Sequence, residues 1–329
     1  LELIANFGAD GVRMGMMLAA PAGNDIMFDE KLCEQGRNFC NKIWNAFRLV
    51  KGWQVDENAE QPRAAAVAVE WFDSKLRRTA AEMADLLAKF RISEALMAAY
   101  KLFWDEFSSW YLELAKPAYG SPVDAKTYAA TLDYFDRLLR LLHPFMPFIT
   151  EELWQHLAER AEGESIMYAP LPEATGADAD ILAAMDCAKE IVNGIRGVRA
   201  SKQIAPKVAL TLLTATAVDP RVAAAVSKLA NLEGIEVTAE KPSGSAVFMV
   251  GNREFAIPME AAGVDVEAER AKLTKELDYE RGFLASVEKK LANERFVNGA
   301  PAAVVDAERR KQADALQRIA TLEAALKAL

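Results

Sequence analysis

The sequence has few of the residues that form disulfide frameworks and metal sites. Its 329 residues include 3 cysteines and 2 histidines, and no histidine lies near a cysteine at metal-ligand spacing. Cys33, Cys40 and Cys187 are too few and too scattered for a disulfide framework. We therefore predict no metal site, and we expect a reducing compartment, the cytoplasm.

Long apolar runs and catalytic motifs are also missing. No run of about 18 apolar residues occurs, so no membrane-spanning helix is predicted. The sequence has neither a Gly-rich phosphate loop nor a nucleophile elbow, and no catalytic residue is expected. No basic and apolar leader follows Leu1, and the amphipathic stretch 1–7 suggests a piece of a longer protein.

Apolar and aromatic residues recur at every third or fourth position through residues 1–175, which hold all 6 tryptophans. Segments rich in Pro, Gly and Asn interrupt this pattern at 21–24, 58–62 and 117–122, and two prolines do so at 144 and 147. The pattern predicts four or five long helices packed as a bundle.

After residue 175 the pattern becomes that of a small α/β module, predicted over residues 176–262. Helical periodicity alternates there with short runs of β-type residues. The helices are expected at 178–200 and 220–231, and the strands at 208–213, 235–238, 246–250 and 254–257.

Residues 263–329 show heptad spacing of apolar residues on both sides of Asn298-Gly-Ala-Pro301. This arrangement predicts two helices of roughly 30 residues that fold back as an antiparallel coiled-coil hairpin. A projecting arm is favoured over two surface helices, because charged positions nearly surround a narrow apolar seam. The predicted fold class is thus mainly α: a helix bundle, a small α/β module and a coiled-coil hairpin.

The formal net charge is -9, yet positive charge is concentrated in three islands. Residues 31–53 and 189–207 each carry +4, and residues 288–311 carry +2. Such islands on an acidic protein can bind phosphates locally while the remaining surface repels other nucleic acid. A solvated helix face is the alternative for any single island, but three islands in three modules favour a long polyanion.

Several segments resemble class I aminoacyl-tRNA synthetases of the Val/Ile/Leu group. Gln35-Gly-Arg-Asn-Phe-Cys-Asn-Lys-Ile-Trp-Asn-Ala-Phe-Arg48, together with the segments 8–13 and 23–29, resembles the entry into the anticodon-binding bundle of that family. Residues 103–113 and 143–154 resemble two further helices of the bundle. Residues 291–305 resemble the hairpin turn in the C-terminal coiled coil of the valyl-tRNA synthetases.

The resemblance implies a function as well as a fold. Residues 1–175 would form the anticodon-binding bundle, with 1–30 a remnant of the junction to the catalytic domain; 176–262 would be a linker and 263–329 a tRNA-binding arm. The intact enzyme would join valine to tRNA(Val), using ATP and Mg²⁺. The HIGH-type and KMSKS-type signatures and the editing domain of the family are absent from this sequence. The chain alone is therefore expected to bind tRNA(Val), to be catalytically inactive and to need no cofactor.

Candidate tRNA contacts follow from the helix over 35–50, which buries one apolar face and turns a polar face outward. Amide side chains can read base edges, while Arg and Lys hold phosphates. The predicted anticodon-binding residues are Arg37, Asn38, Asn41, Lys42, Asn45 and Arg48. Trp44 is either a stacking surface for a base or a core residue, and the core is favoured.

Other cations are candidates for contacts with the tRNA backbone. By resemblance to the family, the arm would support the outer corner of the tRNA, and the α/β module would touch the region between. The predicted backbone contacts are Arg196, Arg199, Lys202, Lys289, Lys290, Arg295, Arg309, Arg310 and Lys311.

A helical scaffold that dimerises through its coiled coil is the alternative function. The turn at 298–301 lets the two helices pair within one chain, so a monomer is expected. An independent enzyme is disfavoured because no catalytic residues are recognised.

Overall fold

The computed structural model describes residues 1–20, 28–259, 266–293 and 302–328. Contacts within the chain divide it into two compact units. Unit 1 comprises Leu1–Lys189 and Asp219–Leu229, and unit 2 comprises Glu190–Val218 and Ala230–Leu329. The division falls within the helix expected at 178–200, whereas the sequence analysis placed a boundary near residue 175.

Unit 1 is built from helices. They are α1 (Glu2–Phe7), α2 (Ala9–Leu18), α3 (Glu30–Lys51), α4 (Arg63–Ala88), α5 (Ile92–Lys101), α6 (Leu112–Ala115), α7 (Ala125–Leu142) and α8 (Pro147–Leu157). A π-helical stretch, Leu102–Tyr111, joins α5 to α6, and Ile166–Tyr168 form a single 3₁₀ turn. Helix α10 (Pro220–Ala230) also lies in unit 1 up to Leu229, and helix α9 (Ala179–Ser201) begins there.

Three of these helices start at local sequence signals. The Asp29 carboxylate accepts a hydrogen bond from the Lys31 amide at 2.9 Å at the start of α3. The Asp124 carboxylate accepts one from the Thr127 amide at 2.8 Å at the start of α7. Pro147 opens α8, where its missing N–H has no helical partner to lose. Aspartate caps of this kind satisfy amides that the first turn leaves unpaired.

Aromatic rings from α3, the π-helical stretch and α7 meet in the core of unit 1. Phe135 of α7 lies 5.8 Å from Phe47, 5.8 Å from Phe103 and 5.5 Å from Phe107, measured between ring centroids. Phe39 of α3 lies 5.7 Å from Phe103. All five rings are buried. Because large rings bury much apolar area in specific edge-to-face geometries, this cluster fixes the inward face of α3.

Helix α2 packs on α3 through glycines. A Cβ on Gly15 would lie 2.7 Å from the Cys33 amide nitrogen, and one on Gly36 would lie 2.5 Å from the Gly11 carbonyl oxygen. Neither position has room for a side chain. The close approach of the two backbones fixes the first half of α3 on α2.

The π-helical stretch carries a charged cluster into the bundle. The Glu106 carboxylate pairs with Lys75 at 2.9 Å and with Lys189, whose ammonium lies over the rings of Trp71 and Trp110. Burial alone would raise the pKa of Glu106, but the two ammonium groups outweigh it and lower that pKa. Lys189, the first cation of the island at 189–207, is thus neutralised inside unit 1.

Unit 2 contains a four-stranded mixed sheet with the strands β3 (Leu210–Thr214), β4 (Leu232–Val237), β5 (Ser245–Val250) and β6 (Arg253–Pro258). A shorter pair, β1 (Val55–Asp56) and β2 (Val123–Asp124), lies in unit 1. The sheet order is β4-β3-β6-β5, with β3 parallel to β4 and antiparallel to β6. The predicted α/β pattern is confirmed, with small shifts at the ends of strands.

Helices α11 (Val266–Leu291) and α12 (Ala302–Ala328) form the predicted antiparallel hairpin in unit 2. Arg281 pairs with Glu323 at 2.6 Å near one end, and Gln312 donates to Glu288 at 3.5 Å nearer the other. The buried seam contains Leu277, Val287, Val305 and Ala315. The predicted turn at 298–301 lies outside the described residues.

Glu280 occupies a position of the seam where an apolar residue is usual. Its side chain is 14% exposed and pairs with Arg318 of the opposite helix at 3.2 Å. The pairing explains how the heptad tolerates a charge there.

Among the described helices, none has the length and hydropathy of a membrane span.

The charged cluster of unit 1 generates a stability prediction. Glu106→Gln leaves Lys75 and Lys189 without their shared carboxylate in a largely buried site, and we expect a loss of about 3 kcal/mol in the free energy of unfolding. Because the pKa of Glu106 is lowered on folding, its contribution is complete above the ordinary glutamate pKa and is lost as the pH falls.

Urea denaturation at neutral and acidic pH measures both effects. The difference between Glu106→Gln and the wild-type chain should shrink at acidic pH. Glu82→Gln changes an exposed glutamate on α4 and is the matched control. Equal stability of Glu106→Gln and the control at neutral pH would contradict the role assigned to the cluster.

Candidate nucleic-acid interface

Helix α3 turns a row of amide side chains to solvent. Asn38, Asn41 and Asn45 are exposed, and Arg48 extends the row by one turn. Their spacing of three, four and three residues places them on one face of the helix, opposite the aromatic core. The structure thus brings together the predicted anticodon-binding asparagines on one rigid surface.

Two large apolar side chains share this exposed side. Trp44 is 40% exposed, with its ring centroid 6.4 Å from that of Phe47, and Leu49 is 47% exposed. The prediction that Trp44 packs in the core is wrong, because Phe39 and Phe47 already occupy the buried face. The indole presents part of its ring to solvent, where a base can stack on it.

Arg37 connects α3 to α1. Its guanidinium lies 5.6 Å from the centroid of the Phe7 ring, donates to the Asn6 carbonyl at 3.5 Å and pairs with Glu34 at 3.6 Å. These contacts are long, and the Arg37 side chain remains 44% exposed. Arg37 therefore combines a packing role with access to solvent.

Lys42 lies at the edge of the polar face and is half-buried. Its ammonium is 5.2 Å from the centroid of the Trp104 ring, which stacks on Tyr100 at 5.5 Å. A cation over an aromatic face is held by the ring quadrupole. The position of the Lys42 charge is thus set by the protein.

A groove lies where α3 ends. Its volume is about 720 Å³, and one wall contains Arg48, Leu49 and Trp53 while the other contains Lys116 and Tyr119. The side chain of Tyr119 is fully exposed. Cations beside aromatic rings are the combination that binds unstacked bases and their phosphates. We call this cavity the α3 groove.

The α3 groove was missed by the sequence analysis because its walls are distant in the chain. The Val123 amide donates to the Gln54 carbonyl at 2.8 Å, and Val55 pairs with Val123 in the β1–β2 ladder. This pairing brings the segment at 116–121 beside the end of α3. The Pro and Gly residues at 117–122 signalled a turn, and nothing local in the sequence indicated its neighbour.

Arg199 is the clearest correction to the predicted tRNA contacts. It is 8% exposed, and its guanidinium donates to the carbonyls of Ala205 (3.0 Å), Val208 (2.8 Å), Ala230 (2.9 Å) and Asn231 (3.4 Å). Burial lowers the pKa of Arg199. The side chain joins elements inside unit 2 and is not presented to a ligand. The other two cations predicted to contact the tRNA from this module are Arg196, which is exposed, and Lys202, which is half-buried.

The cations of the hairpin differ in their availability. Glu308 pairs with Lys311 at 2.7 Å and lies 3.9 Å from Lys290, while Arg309 lies 3.6 Å from Asp306. Lys289 and Arg310 are exposed, and neither has an ion-pair partner among the described residues. Arg295 lies outside the described residues.

Comparison with known proteins finds tRNA-ligase domains in two parts of the chain. Residues 69–214 match the family of the anticodon-binding domain of tRNA ligases, and residues 265–329 match the valyl tRNA synthetase tRNA binding arm. The chain is 58% identical over 331 residues to the valine–tRNA ligase of Phocaeicola vulgatus, 57% over 329 to that of Porphyromonas gingivalis and 46% over 331 to that of Christiangramia forsetii. Each similarity covers 100% of this chain and 37% or 38% of the relative.

The two matched domains define the chain as a tRNA-binding part of an aminoacyl-tRNA synthetase. Within that class it corresponds to the C-terminal part of the valyl-tRNA synthetases. It spans about 38% of the length of those relatives. Helix α3 precedes the matched range 69–214 but lies within the similarity to the whole ligases.

The burial of Arg199 generates a second prediction. Arg199→Met removes the donors to several buried carbonyls, and we expect a loss of about 3 kcal/mol in the free energy of unfolding. Lys202→Met, which removes a neighbouring and more accessible cation, should stay within about 0.5 kcal/mol of wild type. Urea denaturation of the two variants makes the comparison, and a stable Arg199→Met with weakened tRNA binding would contradict the structural role.

Proposed function

We propose that this chain binds tRNA(Val), with the α3 polar face and the α3 groove on the anticodon loop. The exposed row Asn38, Asn41 and Asn45 supports this most strongly. Amides donate and accept hydrogen bonds, and side chains of this kind read base edges when they are held in a fixed geometry. The aromatic cluster beneath α3 supplies that rigidity.

The α3 groove suits unstacked bases. Its volume lies in the range of about 300–1,000 Å³ typical of small-ligand sites, and the aromatic side chains of Trp53 and Tyr119 line it together with the cations Arg48 and Lys116. RNA loops are recognised by splayed bases that stack on aromatic side chains. An anticodon is a single-stranded loop, so its bases can enter such a groove without the opening of a duplex.

We assign the hairpin α11–α12 to the outer corner of the same tRNA. Lys289 and Arg310 are exposed, and Lys290 and Lys311 share the single carboxylate of Glu308. Cations near a phosphate backbone give contacts that depend on salt and not on sequence. Binding at two places on one tRNA raises overall affinity through effective concentration.

The activity of the whole protein is part of the proposal. We propose that the valyl-tRNA synthetase of which this chain is a part joins valine to tRNA(Val) in the cytoplasm, using ATP and Mg²⁺. The chain alone would neither activate valine nor edit mischarged tRNA. Because the described part of the hairpin buries Leu277, Val287, Val305 and Ala315 within one chain, we propose a monomer in preference to the alternative of a coiled-coil scaffold that dimerises.

Anticodon recognition is testable with two RNA hairpins that differ only in the anticodon. The double variant Asn41→Ala/Asn45→Ala should bind the valine-anticodon hairpin about 1–3 kcal/mol more weakly, with little effect on a hairpin that carries a swapped anticodon. Fluorescence anisotropy over a salt series measures both affinities. Asn193→Ala, at an exposed asparagine on α9, is the control. Equal affinity of the wild-type chain for the two hairpins would overturn the assignment of the α3 face.

A further inference from the structure

The wall of the α3 groove formed by residues 116–121 has no regular secondary structure of its own. It leaves the end of α6 and enters β2. At its far end, the Val123 amide donates to the Gln54 carbonyl at 2.8 Å, and the buried Asp124 caps α7. The far end of the wall is therefore tied to both α7 and the segment after α3.

The near end of the wall is held by a residue far along the chain. The Lys228 ammonium of α10 donates to the Leu114 carbonyl at 2.5 Å and to the Lys116 carbonyl at 2.9 Å. These carbonyls lie at the C-terminal end of the helical run from Ile92 to Ala115. Carbonyls there lack helical partners, and a cation is favoured by the helix dipole.

The sequence shows why the helix needs such an anchor. Pro117 follows Lys116, and proline has no N–H with which to continue the helical hydrogen bonds. The chain therefore turns away at Lys116 and leaves acceptors at the helix end. Lys228 supplies donors that the local sequence does not.

Helix α10 is itself fixed at its start. The Asp219 carboxylate accepts a hydrogen bond from the Arg221 amide at 2.7 Å and one from the Arg221 guanidinium at 2.8 Å. The Val222 and Ala225 side chains are buried. Lys228 thus extends from a well-anchored helix.

The Lys228 ammonium contacts protein carbonyls, and this environment differs from that of a cation on a phosphate-binding surface. Its pKa is lowered, chiefly by burial and next by the nearby Lys116 cation. The Lys116 side chain pairs with Glu113 at 2.6 Å and lines the α3 groove. The two lysines therefore have different roles: Lys116 lines the groove, whereas Lys228, although exposed over much of its side chain, directs its ammonium to the carbonyls at the helix end and does not line the groove.

We infer that Lys228 is a positioning residue for the α3 groove: it fixes the wall that carries Lys116 and Tyr119 in the conformation that accepts the RNA loop. The inference rests on the proposed function of the groove. A wall held in place before binding does not have to be ordered during binding, and affinity is higher for that reason. Lys228 would act on RNA binding without touching RNA.

The test uses the complete 329-residue chain and the two anticodon hairpins. Lys228→Met removes the donors and keeps an unbranched side chain, and Lys228→Arg keeps a cation that can donate to carbonyls. Lys89→Met removes an exposed cation paired with Asp85 and controls for the change in net charge. Affinities are measured by fluorescence anisotropy over a salt series.

We expect Lys228→Met to bind the valine-anticodon hairpin about tenfold more weakly and to discriminate less between the two hairpins. The slope of log affinity against log salt should equal that of the wild type. Lys228→Arg should recover most of the loss, and Lys89→Met should behave as the wild type. Hydrogen exchange should accelerate in Lys228→Met at the hydrogen-bonded amides of the wall, those of Lys116 and Ser121, and stay unchanged in the α3 helix.

Two results would overturn the inference. One is wild-type affinity and discrimination in Lys228→Met. The other is a salt slope reduced by about 0.7, the value for one phosphate contact on a single strand, which would place Lys228 on the RNA. If Lys228→Met fails to fold, Lys228→Gln takes its place, because glutamine retains N–H donors without the charge. The affinity of Lys228→Gln for the valine-anticodon hairpin should fall by less than tenfold, and an affinity equal to that of the wild type would contradict the anchor.

The design separates this inference from the proposed function. If the wild-type chain itself does not distinguish the hairpins, the anticodon assignment fails. The exchange rates of 116–121 in the absence of RNA still report on the anchor in that case. Faster exchange in Lys228→Met would support the anchor, and unchanged exchange would refute it.

Discussion

The packing of α3 against the aromatic core is the constraint on which the proposed interface depends. Phe39 and Phe47 occupy the inward face of the helix, where they meet rings of the π-helical stretch and Phe135 of α7. Once that face is fixed, residues on the other side of the helix must point to solvent. The asparagine row is therefore a consequence of the core, and its geometry is as rigid as the core that supports it.

The cations of this protein fall into two groups that a charge count cannot separate. Lys189 and Arg199 are held inside the protein by a carboxylate or by carbonyls, and Lys228 holds a helix end. Others, such as Arg48 and Arg310, are exposed and have no ion-pair partner among the described residues. The net charge of -9 makes the second group informative: exposed cations that gather on α3 and on the hairpin stand out on a surface that otherwise repels polyanions.

Periodicity made most of the fold predictable. The three-and-four spacing of aromatic residues predicted the bundle and the buried face of α3, and the heptads predicted the hairpin with its pairing inside one chain. Trp44 was misjudged because spacing alone does not show which apolar residues the core has room for. Arg199 was misjudged because an arginine near other cations has the same appearance in sequence whether it is solvated or bound to carbonyls.

The α3 groove and its anchor were beyond the reach of the sequence for a different reason. Both depend on contacts between segments far apart in the chain, such as Val55 with Val123 and Lys228 with Leu114. No local pattern carries that information. The resemblance to tRNA synthetases indicated a loop-binding bundle, but only the folded arrangement shows a cavity with aromatic side chains and cations on two walls.

Site-directed photo-cross-linking tests the central claim most directly. A 4-thiouridine placed within the anticodon of an otherwise unmodified tRNA(Val) is irradiated in complex with this chain, and the cross-linked peptides are identified by mass spectrometry. The account predicts cross-links within residues 37–54 or 116–121. Cross-links confined to other parts of the chain, with none in these two segments, would show that the anticodon lies elsewhere and would contradict the account.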